Sequence, residues 1–244
     1  MMKTLCFAIV LLAAALLSGC SRPGCSQRAG RAQRLPRTVN TFSHLVIQDN
    51  INVVLTQGDS CSVDIETDES LQPVILAEVH GQQLHLRNAA SCSWIRRPGE
   101  SITAYVTLPD LNRVDYQGSG NVTCTDTLHL DYLSVEATNG AGTVRLLLDT
   151  RFTLAYVNNE VADLVFAGRS DSAYAYSASR GGIDFRDFEV KRLGAAFASA
   201  RDGYVWATES LQATLFNAGN LYYRGTPARI VTDYRSSGRV APLR

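Results

Sequence analysis

Three aspartates near turns in the second half of the chain, Asp163, Asp184 and Asp202, are the residues with the most chemistry to offer. Carboxylates held about 5 to 9 Å apart can hydrolyse glycosidic bonds, and acids that hold calcium beside a base can support elimination. Their settings, Val-Ala-Asp-Leu, Gly-Ile-Asp-Phe and Ala-Arg-Asp-Gly, share no motif. Each therefore reads as a charge that solvates an outward face, and a polysaccharide-active lyase or glycosidase is kept as the alternative. His80 and His85 straddle Gly81, which a hairpin would bring together, but His44 and His129 lie far away in sequence. Two histidines without a third ligand make a poor metal site. Ser119 sits in Gly-Ser-Gly rather than Gly-x-Ser-x-Gly, so it is a corner serine and not a nucleophile elbow. No catalytic residue, metal or cofactor is assigned, and the chain is read as no enzyme.

Aromatic spacing points to binding instead. Tyr174 and Tyr176 alternate on one strand, Tyr204 and Trp206 on another, and Tyr222 and Tyr223 follow. Facing outward, these six would form a ladder able to stack on sugar rings or peptide side chains; facing inward, they are core. Trp94, just before Arg96-Arg97-Pro98-Gly99, reads as a loop tip.

The first residues concern delivery. Lys3 precedes an apolar run from Leu5 to Leu17, too short to span a bilayer, which needs about 20 residues. A basic start and a short apolar core are the pattern of a secretory signal. Leu17-Ser18-Gly19-Cys20 resembles the bacterial lipobox at every position, so Cys20 is expected to be lipidated after cleavage of residues 1–19. Residues 20–39 then read as a basic, flexible linker, with five arginines from Arg22 to Arg37 and the breakers Pro23, Gly24, Gly30 and Pro36. Residues 40–244 form the domain. The lipid is the expected membrane attachment, and Ser21 fits delivery to the outer membrane; which side the domain faces is left open. A formal net charge of +0 argues against nucleic acid as a partner. Beyond Cys6 and Cys20 there are Cys25, Cys61, Cys92 and Cys124, which allow three connectivities of two disulfides. A single Cys61–Cys92 bridge is preferred because each lies near a strand end, with Cys25 in the tether.

These residues must be carried by strands. Period-two alternation runs from Phe42 onward, as in Ile51-Asn-Val53-Val-Leu55 and Ile102-Thr-Ala104-Tyr-Val106. Leu71 to Val79 is the one helix-like stretch, with Pro73 in its first turn. Turns rich in Gly and Asn recur: Gly118-Ser119-Gly120-Asn121, Asn139-Gly140-Ala141-Gly142, Asn158-Asn159, Arg180-Gly181-Gly182, Arg201-Asp202-Gly203, Asn217-Ala218-Gly219-Asn220 and Ser236-Ser237-Gly238. Each is followed by an apolar residue: Val122, Val144, Val161, Ile183, Val205, Leu221 and Val240. Leu133, Phe152, Ala173, Leu193 and Leu211 mark a period of about 20, the signature of a β-solenoid. Gly and Asn are expected at the corners for their tolerance of left-handed backbone.

The segments Asn50-Ile51-Asn52-Val53-Val54-Leu55-Thr56-Gln57-Gly58-Asp59, Gly81-Gln82-Gln83-Leu84-His85-Leu86, Val106-Thr107-Leu108-Pro109-Asp110-Leu111 and Gly118-Ser119-Gly120 together resemble the head-GIN-domain family. Tyr223-Arg224-Gly225-Thr226-Pro227 and Ser236-Ser237-Gly238 resemble its closing repeat. These are adhesins of autotransporter type with no established activity. The resemblance, over about residues 40 to 243, implies a right-handed parallel β-helix with a more irregular, partly antiparallel N-terminal section. It also implies an envelope lipoprotein of a Gram-negative cell. Asn50 stands where the family carries its name-giving glycine, and Asn158-Asn159-Glu160 departs from its Gly-Ser-Gly turns. The function expected is a lipid-anchored, non-enzymatic surface for binding a protein or glycan, as adhesin or scaffold. A periplasm-facing partner in envelope stress or assembly is a further reading.

Overall fold

Val122, Val144, Leu164, Ile183, Gly203, Leu221 and Val240 stand in one column, each a coil above the last. A second column runs Leu133, Thr153, Ala173, Leu193, Leu211 and Ile230, in steps of 20, 20, 20, 18 and 19 residues. One coil cannot bury its own apolar side chains. Stacking satisfies the backbone through parallel ladders and packs aliphatic on aliphatic inside. The molecule is therefore the parallel solenoid its sequence period announces. The computed structural model describes residues 31–90, 101–158, 161–178 and 180–243.

The strands, in order, are β1 (Ala32–Arg37), β2 (His44–Asp49), β3 (Asn52–Gln57) and β4 (Ser62–Asp68). β5 (Ile75–His80), β6 (Gln83–Asn88), β7 (Thr103–Leu108), β8 (Arg113–Gly118) and β9 (Val122–Cys124) follow. The long coils are β10 (Leu128–Thr138), β11 (Thr143–Asn158), β12 (Asp163–Ala178), β13 (Ile183–Phe197) and β14 (Gly203–Leu215). β15 (Leu221–Arg224), β16 (Arg229–Tyr234) and β17 (Val240–Pro242) complete the stack.

Each long strand bends where the inside–outside alternation slips. In β13 two exposed pairs, Arg186-Asp187 and Lys191-Arg192, break the alternation, leaving three faces at residues 183–185, 188–190 and 193–197. The first face stacks β7, β3, β9, β11, β12, β13, β14, β15 and β17 in parallel. The third stacks β6, β2, β8, β10, β11, β12, β13, β14 and β16. The N-terminal edges of both are closed by antiparallel strands, β4 and β1 on one and β5 on the other. This is the mixed N-terminal section that the family resemblance implies.

Several details differ from the sequence reading. Leu71 to Val79 is not a helix. A 3-10 turn at Gln72–Val74 leads into β5, because the hairpin at Gly81, with φ of 65°, pairs Ile75–His80 with β6. The stretch read as linker is structured at its end, where Ala32–Arg37 adds to β4 and Arg37 donates to the carbonyl and side-chain oxygens of Gln72. Thr153, not Phe152, occupies the inner column; its hydroxyl meets that of Thr150, which donates to Ser170, so the polar spot is satisfied. Val161 is exposed and Leu164 fills its column, while Val205 lies two residues along, under Tyr223.

The corners are built for a different reason than expected. Among described non-glycine residues only Asp49 and Asn139 have positive φ. Five other corner Asx residues bond to the next coil: Asn52 accepts from the N–H of Asn121, Asn121 from Thr143, Asp163 from Gly182, Asp202 from Asn220, and Asn220 from Arg239, at 2.8–3.2 Å. The glycines are there for close approach. A Cβ on Gly142 would enter the Gly120 carbonyl and the Tyr116 hydroxyl, and one on Gly238 the Gly219 carbonyl.

Candidate functional site

The third face carries an open concavity. Ala173, Ala175 and Ser177 point inward, so Tyr174 and Tyr176 must point out. The register sets Leu154 beside Tyr174 and Tyr156 beside Tyr176, one coil apart. Ring centroids of Tyr156 lie 6.0 Å from those of both Tyr174 and Tyr176, in tilted geometry. On the next coil the position beside Tyr174 is Gly194. A Cβ there would stand 2.9 Å from the Tyr174 ring, so the glycine lets that ring lie down on the sheet. The result is a groove of about 970 Å³ with a tyrosine wall, a floor of Leu154 and Gly194, and a rim that includes Glu136, Asn158, Arg192 and Gln212. Its charges are engaged: Glu136 accepts from Arg113, while Arg192 donates to Ser172 and pairs with Glu209. Burial, reinforced by Tyr156 and Tyr176, pushes the Tyr174 hydroxyl above the usual phenol range, so it stays protonated and can donate.

The remaining aromatics do not join this ladder. Tyr204, Trp206 and Tyr222 also point outward, but on the first face. Tyr204 and Tyr222 stack at 5.7 Å, Arg186 covers Tyr204 at 4.6 Å and Arg224 covers Trp206 at 4.2 Å. Guanidinium planes occupy the ring faces a ligand would use. Tyr223 turns inward against the core. The six residues read as one surface are thus a groove pair, a first-face trio in which Tyr204 and Trp206 are capped, and a core residue. Tyr156, essential to the groove, was missed; its place two residues after Leu154 and 20 before Tyr176 was the available signal.

The acids act in structure. Asp163 binds the Gly182 N–H and Arg201, Asp184 pairs with Arg186, and Asp202 binds the N–H of Asn220. His44 meets Asp115 at 2.7 Å, and the hairpin brings the rings of His80 and His85 to 5.4 Å. Burial, then His80, lowers the pKa of His85, which favours its neutral form. Among the described residues no three His, Cys, Asp or Glu converge as a metal site. The second face holds an alternating charge ladder that sequence reasoning passed over. His129 meets Asp149 at 3.2 Å, Asp149 takes both Arg169 nitrogens at 2.7 and 2.9 Å, and Glu189 is next in register. Alongside it, Asp131 meets Arg151 at 3.6 Å and Asp171 meets Lys191 at 2.7 Å.

Cys20, residues 1–19, Cys25, Cys92 and Trp94 lie outside the described residues. The Cys61–Cys92 bridge therefore has one described partner: Cys61, a thiol 3.5 Å from the Phe42 carbonyl. No described helix is long and apolar enough to cross a membrane.

Against known proteins, residues 41–227 match the family model described as "Putative auto-transporter adhesin, head GIN domain". The chain belongs to this head-GIN family. Its solenoid is similar to solved structures of the same size. One is a "putative adhesin" from Bacteroides fragilis, 21% identical, with a TM-score of 0.80 over 87% of this chain and 97% of that one. Another "putative adhesin", from Parabacteroides distasonis, is 15% identical with a TM-score of 0.69, covering 88% and 98%. A "Putative lipid binding protein" from Parabacteroides distasonis is 17% identical with a TM-score of 0.68, covering 88% and 98%. At these identities the likeness establishes the fold. No curated protein matches the chain. Asn50 accepts from the Asn88 side chain, beside Asp49, whose φ is 60°.

Proposed function

We propose that this head-GIN protein is a lipid-anchored, non-enzymatic binding protein of the bacterial envelope, held by Cys20 and presenting its third face to a ligand. The observation that carries this reading is the uncapped tyrosine groove on a sheet paired on both sides, a surface rigid enough to bind without paying ordering entropy. The non-enzymatic part draws support from Asp163 and Asp202, whose oxygens are held by neighbouring coils, and from Asp184, which is paired with Arg186 on its own strand. Membership in an adhesin family agrees with it. Ser21 after the lipidated cysteine favours the outer membrane as the place of attachment.

Two measurements test the reading. Cell fractionation should find the wild type in the membrane fraction and Cys20→Ala released from it; retention of Cys20→Ala would remove the lipid tether. Attachment of cells displaying the protein should fall when Tyr156 and Tyr174 are both replaced by alanine. Attachment equal to wild type, or equal to cells lacking the protein throughout, would dismiss the binding role of this face.

A further inference from the structure

From the chemistry of the groove we infer its ligand class: the Tyr156–Tyr174–Tyr176 groove binds an uncharged oligosaccharide, with a pyranose ring lying against the tyrosine wall. The inference rests on the binding role proposed above and specifies its ligand.

Three features select this class. First, the rings are free. Among the described residues no guanidinium covers Tyr156, Tyr174 or Tyr176, whereas on the first face Arg186 and Arg224 close off Tyr204 and Trp206. An aromatic ring offers flat apolar area to the C–H face of a sugar and a hydroxyl at its edge. Second, the groove has no charge to spare. Glu136 is committed to Arg113 and Arg192 to Glu209 and Ser172. A uronic acid or sialic acid would have to compete with Glu209 for Arg192 and would meet the Glu136 carboxylate on the same rim. A neutral sugar brings hydroxyls that donate and accept at once, and Asn158 and Gln212 on the rim do the same.

Third, the sheet excludes the commonest peptide mode. An extended peptide binds by adding a strand to a free edge. β11, β12 and β13 beneath the groove are paired on both sides. A peptide would have to bind by side chains alone, without the main-chain ladder that gives strand addition its affinity. The volume, about 970 Å³, falls near the top of the usual 300–1,000 Å³ for small-ligand sites. The groove is open and cannot close over its ligand, so each site should bind weakly. Many anchored copies would then provide avidity, as attachment requires.

Gly194 is a positioning residue in this account. It touches the back of the Tyr174 ring, and Gly194→Ala should push that ring off the sheet without removing any group a sugar would contact.

The test uses the full-length protein in detergent micelles, titrated with maltohexaose, cellohexaose and chitohexaose, and with polygalacturonate and an extended tyrosine-rich peptide as comparison probes. At least one neutral hexasaccharide should bind. Tyr174→Ala and Tyr156→Ala should weaken it tenfold or more, Gly194→Ala severalfold, and Tyr204→Ala less than twofold. Matching far-ultraviolet circular dichroism of each variant, together with Tyr174→Phe retaining most of the binding, separates ring loss from misfolding. Absence of binding to all three neutral probes overturns the inference. So does preferential binding of polygalacturonate or the peptide, or an equal loss in Tyr204→Ala. Sedimentation that changes with Tyr174→Ala while sugar binding does not would make the groove a contact between copies, which also overturns it. Cell attachment that depends on Tyr174 while all sugars fail would leave the binding role standing and the ligand class wrong.

Discussion

Tyr116 is the largest side chain buried in the N-terminal coils, and its hydroxyl donates to the Gly120 carbonyl inside the corner. Burial raises its pKa to about 12. The unfolded chain releases this proton near pH 10, so the fold's preference for the neutral phenol is fully present below pH 10. It is lost as pH climbs towards 12. Stability should therefore fall across that window, and Tyr116→Phe should flatten the fall; equal slopes in urea melts at pH 9 and 11.5 would refute it. At neutral pH the same substitution leaves the Gly120 carbonyl short of a partner and should cost about 1–3 kcal/mol. Nearby, Gly142→Ala has no room, since its Cβ meets the Gly120 carbonyl as well as the Tyr116 hydroxyl. A loss of roughly 3 kcal/mol or more is expected from denaturant midpoints, because two coils of backbone must part.

At the scale of elements, the second face shows how stacked strands manage charge. In-register stacking sets equivalent side chains close together, so a row of one sign would repel itself. His129, Asp149, Arg169 and Glu189 instead include alternating charges, and the Arg169 guanidinium beside Asp149 holds that carboxyl below its usual range. Arg169→Glu should place three acids in succession and lower the denaturation midpoint in low salt, with most of the loss recovered in high salt. A deficit that ignores salt would mean the ladder acts through packing. Inside the same coils Phe166 stacks on Phe185 at 5.0 Å, and Phe188 meets both edge-on. Phe185→Ala should cost about 3–5 kcal/mol in a denaturant titration, the range for a fully buried ring.

Across the whole molecule, the two ends of the stack differ. β1, β4 and β5 close the N-terminal edges with antiparallel strands, while every residue of β16 is exposed or half-exposed. Amide hydrogen exchange should therefore be fastest in β16 and β17 and slowest in β12 and β13, whose neighbours flank them on both sides. Protection in β16 equal to that of β12 would contradict this gradient.

The solenoid itself was legible in the chain. A turn and an aliphatic return every 20 residues or so, and main-chain pairing leaves few ways to stack such units. The details that failed were those set by distance. Phe152 and Thr153 differ by one residue, and a corner of two outward residues, Arg151-Phe152, decides which points inside. Leu71–Val79 looked helical locally, yet pairing with β6 outweighed that preference. The corner asparagines were recognised, but their role in bonding the next coil depends on where that coil lies. The aromatic surface divides for the same reason: alternation fixes that Tyr174 and Tyr204 point outward, whereas the bend of each coil decides that they face different directions. Local side-chain parity is a property of the sequence; which residues share a groove is decided by bends and register, because those depend on contacts between coils 20 residues apart.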